Sequence, residues 1–133
     1  MSLAGAHGIG KAIAEVFSAE GATVHIIDIK PGDWFVGDVG DKETLEYFAE
    51  YVIHRSGHVD YLINNALPLM KGMCECTYED FSRALAVGVT APFYLTKLLS
   101  PHFAPGASVI NISSSRDRMS QPQTESYTAA KGA

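Results

Sequence analysis

Short β-branched apolar runs alternate along this chain with longer stretches whose apolar residues recur every three or four positions. Val24-His25-Ile26-Ile27-Asp28, Trp34-Phe35-Val36, Val59 to Asn64 and Ser108 to Ile112 read as strands. Their apolar positions run on rather than alternate, which predicts a sheet covered on both faces. Ile9, Ile13, Val16 and Phe17 predict a helix closed by Gly21. Leu45, Phe48, Ala49, Val52 and Ile53 predict a second, with Asp41 near its start and Gly57 past its end. Thr77-x-x-Asp80 resembles a capping box that opens a third helix through Phe81, Leu85 and Val89. Pro92 should kink or split that helix, and Pro101 should end it. A last helix begins near Thr124 and carries Tyr127. Strands alternating with helices predict an α/β fold with a parallel sheet and right-handed crossovers.

Composition narrows the class. At 133 residues, with 47% hydrophobic side chains, residues 1–133 are expected to form one domain around one core. Ten basic against fifteen acidic side chains give a net charge of −5, with no basic cluster to bind nucleic acid. The longest mostly apolar run, Ala84 to Leu95, is broken by Gly88, Thr90 and Pro92 and falls short of the ~20 residues of a membrane span. Met1-Ser2-Leu3-Ala4 lacks the basic start and apolar stretch of a secretion signal, so the expected location is the cytoplasm. Cys74 and Cys76 stand in a single Cys-x-Cys with no second pair at zinc spacing, which predicts two reduced thiols and no metal site.

Three constellations carry chemistry. Gly5-Ala6-His7-Gly8-Ile9-Gly10 lies directly ahead of the first helix, where glycines permit close approach and the helix start attracts a pyrophosphate. Asp28 ends the next strand 18 residues after Gly10, near the ~20 at which an acid takes the adenosine ribose hydroxyls. Tyr127 and Lys131 are four apart, on one face of a helix. A cation there favours the phenolate and suits proton exchange with a carbonyl or alcohol oxygen. Ser113-Ser114-Ser115 follows the fourth strand at its C-terminal end, where ligands sit in open α/β sheets. Alone, each has a plainer reading: a tight turn, a solvated strand end, a surface pair.

Together these residues resemble the short-chain dehydrogenase/reductase (SDR) family, over nearly the whole chain and in family order. The matching pieces are Gly8-Ile9-Gly10, Asp28, Asp38-Val39, Asn64-Asn65-Ala66, Asn111-Ile112-Ser113-Ser114 and Tyr127-x3-Lys131, with 13 residues from Ser114 to Tyr127. The resemblance implies a Rossmann-like doubly wound parallel sheet and hydride transfer between a nicotinamide and a carbonyl or secondary alcohol. It makes Tyr127 the acid/base, Ser114 the hydrogen-bond partner of the reacting oxygen, and Lys131 the aid to Tyr127 and ligand of the nicotinamide ribose. Gly5, Gly8, Ile9 and Gly10 would meet the pyrophosphate, Asp38 and Val39 the adenine, and Asn65 and Ala66 the adenosine side. Asp28 favours NAD over NADP, since a carboxylate about 4 Å from a 2′-phosphate costs on the order of 4 kcal/mol at an effective dielectric near 20. Lys11 and Lys30 are near enough in sequence to blunt that preference.

The chain departs from the family pattern in definite places. Leu3 and Ala4 stand where the family has Thr and Gly ahead of the cofactor turn, and only Met1 and Ser2 precede them, so the first strand is expected to be reduced or absent. Its loss would leave the flanking strands with unpaired edges. The family continues well past Lys131, so its C-terminal strands are expected to be absent and the chain to be a fragment of a longer enzyme or a short relative. Gly88 aligns with the family's tetrad Asn, Leu67 with the last Gly of Asn-Asn-Ala-Gly, and the helix after Asp28 is missing.

Two functions stand: an NAD-dependent oxidoreductase acting on a small carbonyl or alcohol, and an inactive nucleotide-binding or interaction fragment. Copies of the chain are expected to associate through the apolar faces of Phe81 to Leu99 and of the Tyr127 helix. His7 is expected to face solvent, Trp34 to pack at a strand edge, and Arg116 and Arg118 to be solvated. Met70, Met73, Cys74 and Cys76 fall where family members contact substrate.

Overall fold

The computed structural model describes residues 2–3 and 6–133, so the expectation for Gly5 lies outside the described residues. Five parallel strands form one sheet in the order β3-β2-β1-β4-β5: β1 Ser2–Leu3, β2 Ile26–Asp28, β3 Phe35–Val36, β4 Val59–Asn64 and β5 Phe103–Asn111. The helices are α1 Gly8–Ala19, α2 Lys42–Ser56, α3 Tyr78–Leu85, α4 Ala91–Leu99 and α5 Glu125–Gly132. The doubly wound order is as expected. Ser2 and Leu3 pair on both sides, with Ile26 and Ile27 of β2 and with Ile63 and Asn64 of β4. Among the described residues, Ser2 and Leu3 hold the centre of the sheet at its C-terminal end. Below them a 450 Å³ cavity opens between Thr23 and His25 on one side and Val59 to Tyr61 on the other. Strand β2 accordingly starts at Ile26, two residues later than expected at Val24.

The core lies between the sheet and the α2/α4 layer, around Ile27, Leu45, Phe48, Val52, Leu62, Leu95 and Leu99. Helix α1 covers the other face, where the ring of Phe17 meets Tyr61 edge-on at 5.2 Å. Ile9 and Val16 of its predicted apolar stripe are exposed. The expectation of a sheet covered on both faces holds for β4, where Leu62 and Ile63 are buried, and fails for β5. Val109 and Ile110 on that edge strand are each 39% exposed. Strand β5 also starts earlier than expected, at Phe103, and loops out around Gly106 between the Val59–Phe103 and Tyr61–Ser108 pairs.

Local signals explain the helix ends. Thr77 accepts from the Asp80 amide at 3.1 Å and the Thr77 amide donates in turn to Asp80 Oδ2, which completes the capping box of α3. Gly57 closes α2 at φ +73°. Pro92 has no N–H for the carbonyl of Gly88 and its ring crowds that carbonyl. The chain answers with a π-helical stretch over Ala86–Thr90, where Ala91 N reaches back to Ala86 O. Pro101 then ends α4 in a single 3₁₀ turn. Among the described residues, no helix is long and apolar enough to cross a membrane.

Candidate functional site

The C-terminal ends of the strands converge where the strand order reverses, between β1 and β4, the place at which open α/β sheets hold ligands. A cavity of 620 Å³ opens there. Its walls take His7, Gly8 and Ile9 from the start of α1, Asp28 from the end of β2, Asp38 and Val39 from the turn after β3, and Asn65 and Ala66 from the end of β4. Seven residues expected at the cofactor therefore line one concavity. Gly8 has φ +55°, in the left-handed region that favours glycine, and so lets the chain turn into α1. Gly10 is buried in the first turn of α1.

Asp28 is buried, and its carboxylate is already oriented. Oδ1 accepts from the Lys30 amide at 3.0 Å, and Oδ2 stands 3.8 Å from His7 Nδ1. His7 was expected to face solvent. It is exposed, yet it also meets Trp34 edge-on at 6.3 Å and faces the Asp28 carboxylate. Trp34, half-buried, donates from Nε1 to Lys30 O at 2.8 Å and so fixes the short loop that replaces a helix here.

The proposed proton-transfer residues lie beyond β5. Tyr127 is buried in the first turn of α5, and Lys131 Nζ sits 6.0 Å from the centre of its ring. Nζ donates to Ile112 O at 2.5 Å, just past the end of β5, and burial pulls the Lys131 amine below its ordinary range. Ser114 lies two residues further on, where its Oγ accepts from Arg116 N at 3.3 Å. The hydroxyl keeps its own proton to donate. Lys131 lines a second cavity of 560 Å³ with Asn64, Gly88, Asn111, Ile112 and Ser113; Ser114 and Tyr127 are not among its lining residues. Fold geometry thus joins Tyr127 to Lys131 by contact, and Lys131 to the Ser114 segment through one carbonyl.

Gly88 fits closely where it stands. A Cβ there would lie 2.8 Å from both Ala130 Cβ and Pro68 Cγ, so α5 and the loop after β4 leave no room for an Asn side chain. Asn64 Nδ2 donates to Asn111 Oδ1 at 2.8 Å and thereby ties β4 to β5 beneath the site.

Sequence reasoning missed two residues. Ser126 is fully buried: its Oγ donates to Leu69 O at 2.7 Å and accepts from Lys71 N at 2.8 Å. It locks the loop after β4 to the residue preceding Tyr127. Arg83 of α3 lines the 620 Å³ cavity and is paired with Asp38 and Asp41. Neither belongs to a spacing that advertises it, because each acts across 40 residues or more. Met70, Met73, Cys74 and Cys76 line none of the three cavities described. Arg118 is exposed as expected, whereas Arg116 is half-buried, and its Nη1 has no partner among the described residues.

Comparison with known proteins gives a consistent outcome. A family model described as enoyl-(acyl carrier protein) reductase matches residues 3–133. The oxidoreductase YxbG of Bacillus subtilis is 34% identical, over 96% of this chain and 54% of its own length. Mouse L-fucose dehydrogenase is 32% identical, over 97% of this chain and 53% of its own. The solved structure of an apo SCOR enzyme from Clostridium thermocellum superposes with a TM-score of 0.92 at 36% identity, covering 98% of this chain and 60% of that one. The chain spans about half the length of the curated relatives it matches.

Proposed function

Since the chain belongs to the short-chain dehydrogenase/reductase family, we propose that it binds NAD and serves the transfer of a hydride between the nicotinamide and a small carbonyl or secondary alcohol. The observation that carries the reading is the gathering of Gly8, Ile9, Asp28, Asp38, Val39, Asn65 and Ala66, from four separate stretches, around one 620 Å³ cavity at the switch point of the sheet. The donor set fits a dinucleotide. The start of α1 offers amides to a pyrophosphate, a buried and oriented carboxylate meets the ribose hydroxyls, and the apolar side chains of Ile9, Val39 and Ala66 flank the base. When bound, the nicotinamide supplies or accepts the hydride.

The chain's own residues do the rest. In the reducing direction the Tyr127 phenol donates a proton to the carbonyl oxygen as hydride reaches the carbon, and Ser114 hydrogen-bonds the same oxygen. Lys131 spends one donor on Ile112 O. Its two others remain for ribose hydroxyls, while its charge stabilises the phenolate left behind. Asp28 makes the site prefer NAD, because a 2′-phosphate would sit against its carboxylate.

Titration with NADH, followed by nicotinamide fluorescence, tests the cofactor: saturable binding is expected, and no change at millimolar protein removes it. Tyr127→Phe tests the chemistry. Turnover should fall by about a hundredfold or more with NADH binding little changed, and an unchanged rate removes Tyr127 from its role. One observation favours binding without catalysis in this chain: the cavity beside Lys131 does not include Ser114 or Tyr127 in its walls. NADH binding with no turnover in the unmodified chain supports that second reading.

A further inference from the structure

Tyr127 occupies the first turn of α5, where amides have no partners within the helix and the chain frays most readily. A capping side chain usually supplies the partner, yet Thr124 does not: its hydroxyl donates to Gln121 O at 2.7 Å instead. The partners come from the loop after β4. Ser126 N donates to Lys71 O at 3.2 Å, and Ser126 Oγ donates to Leu69 O at 2.7 Å while accepting from Lys71 N at 2.8 Å. Glu125 Oε2 accepts from Met73 N at 3.2 Å. The two segments run so close that a Cβ on Gly72 would fall on the Cα and side chain of Gln123. Gln123 itself holds φ at +64°, a left-handed value uncommon outside glycine. The loop is also held from its other side, where Lys71 Nζ meets Asp80 Oδ2 at 2.7 Å, the oxygen that closes the cap of α3. Leu67 and Leu69 of the same loop line the 620 Å³ cavity. One stretch of backbone therefore forms part of the cavity wall and fastens the residue before Tyr127.

We propose that Ser126 is a positioning residue for proton transfer, which fixes the Tyr127 phenol relative to Lys131 through its bonds to the loop after β4. The inference rests on the acid/base reading of Tyr127 above. Ser126 is fully buried, so removing its hydroxyl takes a partner from Lys71 N and from Leu69 O away from water. The first turn of α5 then loses its tie, and the phenol samples several positions. Lys131, one turn further on, keeps its own hold on Ile112 O, so the pair is disturbed from the Tyr127 side alone. Misplacing a reacting group by about 1 Å costs up to about a hundredfold in rate. The start of α1 and Asp28, at the cofactor, are not touched by the change.

The test reads the phenol directly, by fluorine NMR of the chain with 3-fluorotyrosine at its six tyrosine positions. The Tyr127 line is the one lost in Tyr127→Phe. Ser126→Ala should displace or split that line and leave the other five in place. Ser126→Cys fills the same space with a weaker donor and acceptor, so its Tyr127 line should fall between the two. It also carries the reading alone if the Ala variant does not fold. In the turnover assay, Ser126→Ala should lower kcat by about tenfold or more, with KM and NADH affinity little changed. A residue that merely supports the fold would shift all six lines together, and that result overturns the inference. So does a Tyr127 line that stays in place in both variants, and either outcome leaves the acid/base reading intact. Full turnover in Tyr127→Phe removes that reading instead, and the proposal with it, whatever the lines show.

Discussion

A carboxylate at the end of a strand has a meaning set by its partners. Asp28 is buried, carries a hydrogen bond from the Lys30 amide, and has His7 facing its other oxygen. Its charge is thus available to attract or to repel what enters the cavity. The proposed preference for NAD follows from that charge, so Asp28→Asn should raise NADPH affinity by about tenfold or more while NADH affinity drops. Paired binding titrations of the two cofactors check this, and a parallel change in both affinities would remove the electrostatic argument. At this scale the sequence was readable where a residue works with near neighbours. Tyr127 and Lys131 sit one helical turn apart, and their contact was set by that spacing. Ser126 and Arg83 were not readable, because their partners at Leu69, Lys71, Asp38 and Asp41 are brought near only by the fold.

Among the elements, the long helical segment before β5 is the informative one. Pro92 gave notice of a break, and the capping box at Thr77 gave the start. The form of the break was not legible. A proline licenses a kink, a split or a widened turn, and packing against α5 selects among them. Here Ala130 and Pro68 close on Gly88 from two sides, and the segment takes the π-helical course that keeps this glycine at the contact. Gly88→Asn would supply the side chain found at this point in the family. It should nevertheless destabilise the chain by about 1–3 kcal/mol, through overpacking. Urea unfolding measures this directly, and a midpoint equal to that of the unmodified chain would mean that α5 yields without cost.

For the molecule as a whole, β1 pairs with its neighbours at the ligand-binding end of the sheet, and towards the other end His25 stands buried with Nε2 2.6 Å from Ser56 Oγ and its ring edge-on to Tyr51 at 5.5 Å. Burial, with positive charge nearby that includes Arg55, pulls the His25 imidazole below its ordinary value of 6.5. The unfolded chain takes up the proton near pH ~6.5 and the folded chain only at lower pH. Stability from this group is therefore full above that value and is lost as pH falls through the window beneath it. Urea midpoints at pH 7.5 and 5.5 should drop further in the unmodified chain than in His25→Gln, and equal drops would clear His25 of the effect.

The order of elements, the helix caps, the glycine turn and the Tyr-Lys pair were all determined by the chain on its own, because each depends on residues within one or two turns of one another. Tertiary structure alone decided that Ser126 ties the loop after β4 to α5 and that Arg83 reaches the wall shared by Asp28 and Asp38. Such outcomes depend on which segments lie side by side, and a pairing across 40 residues leaves no period or spacing in the sequence.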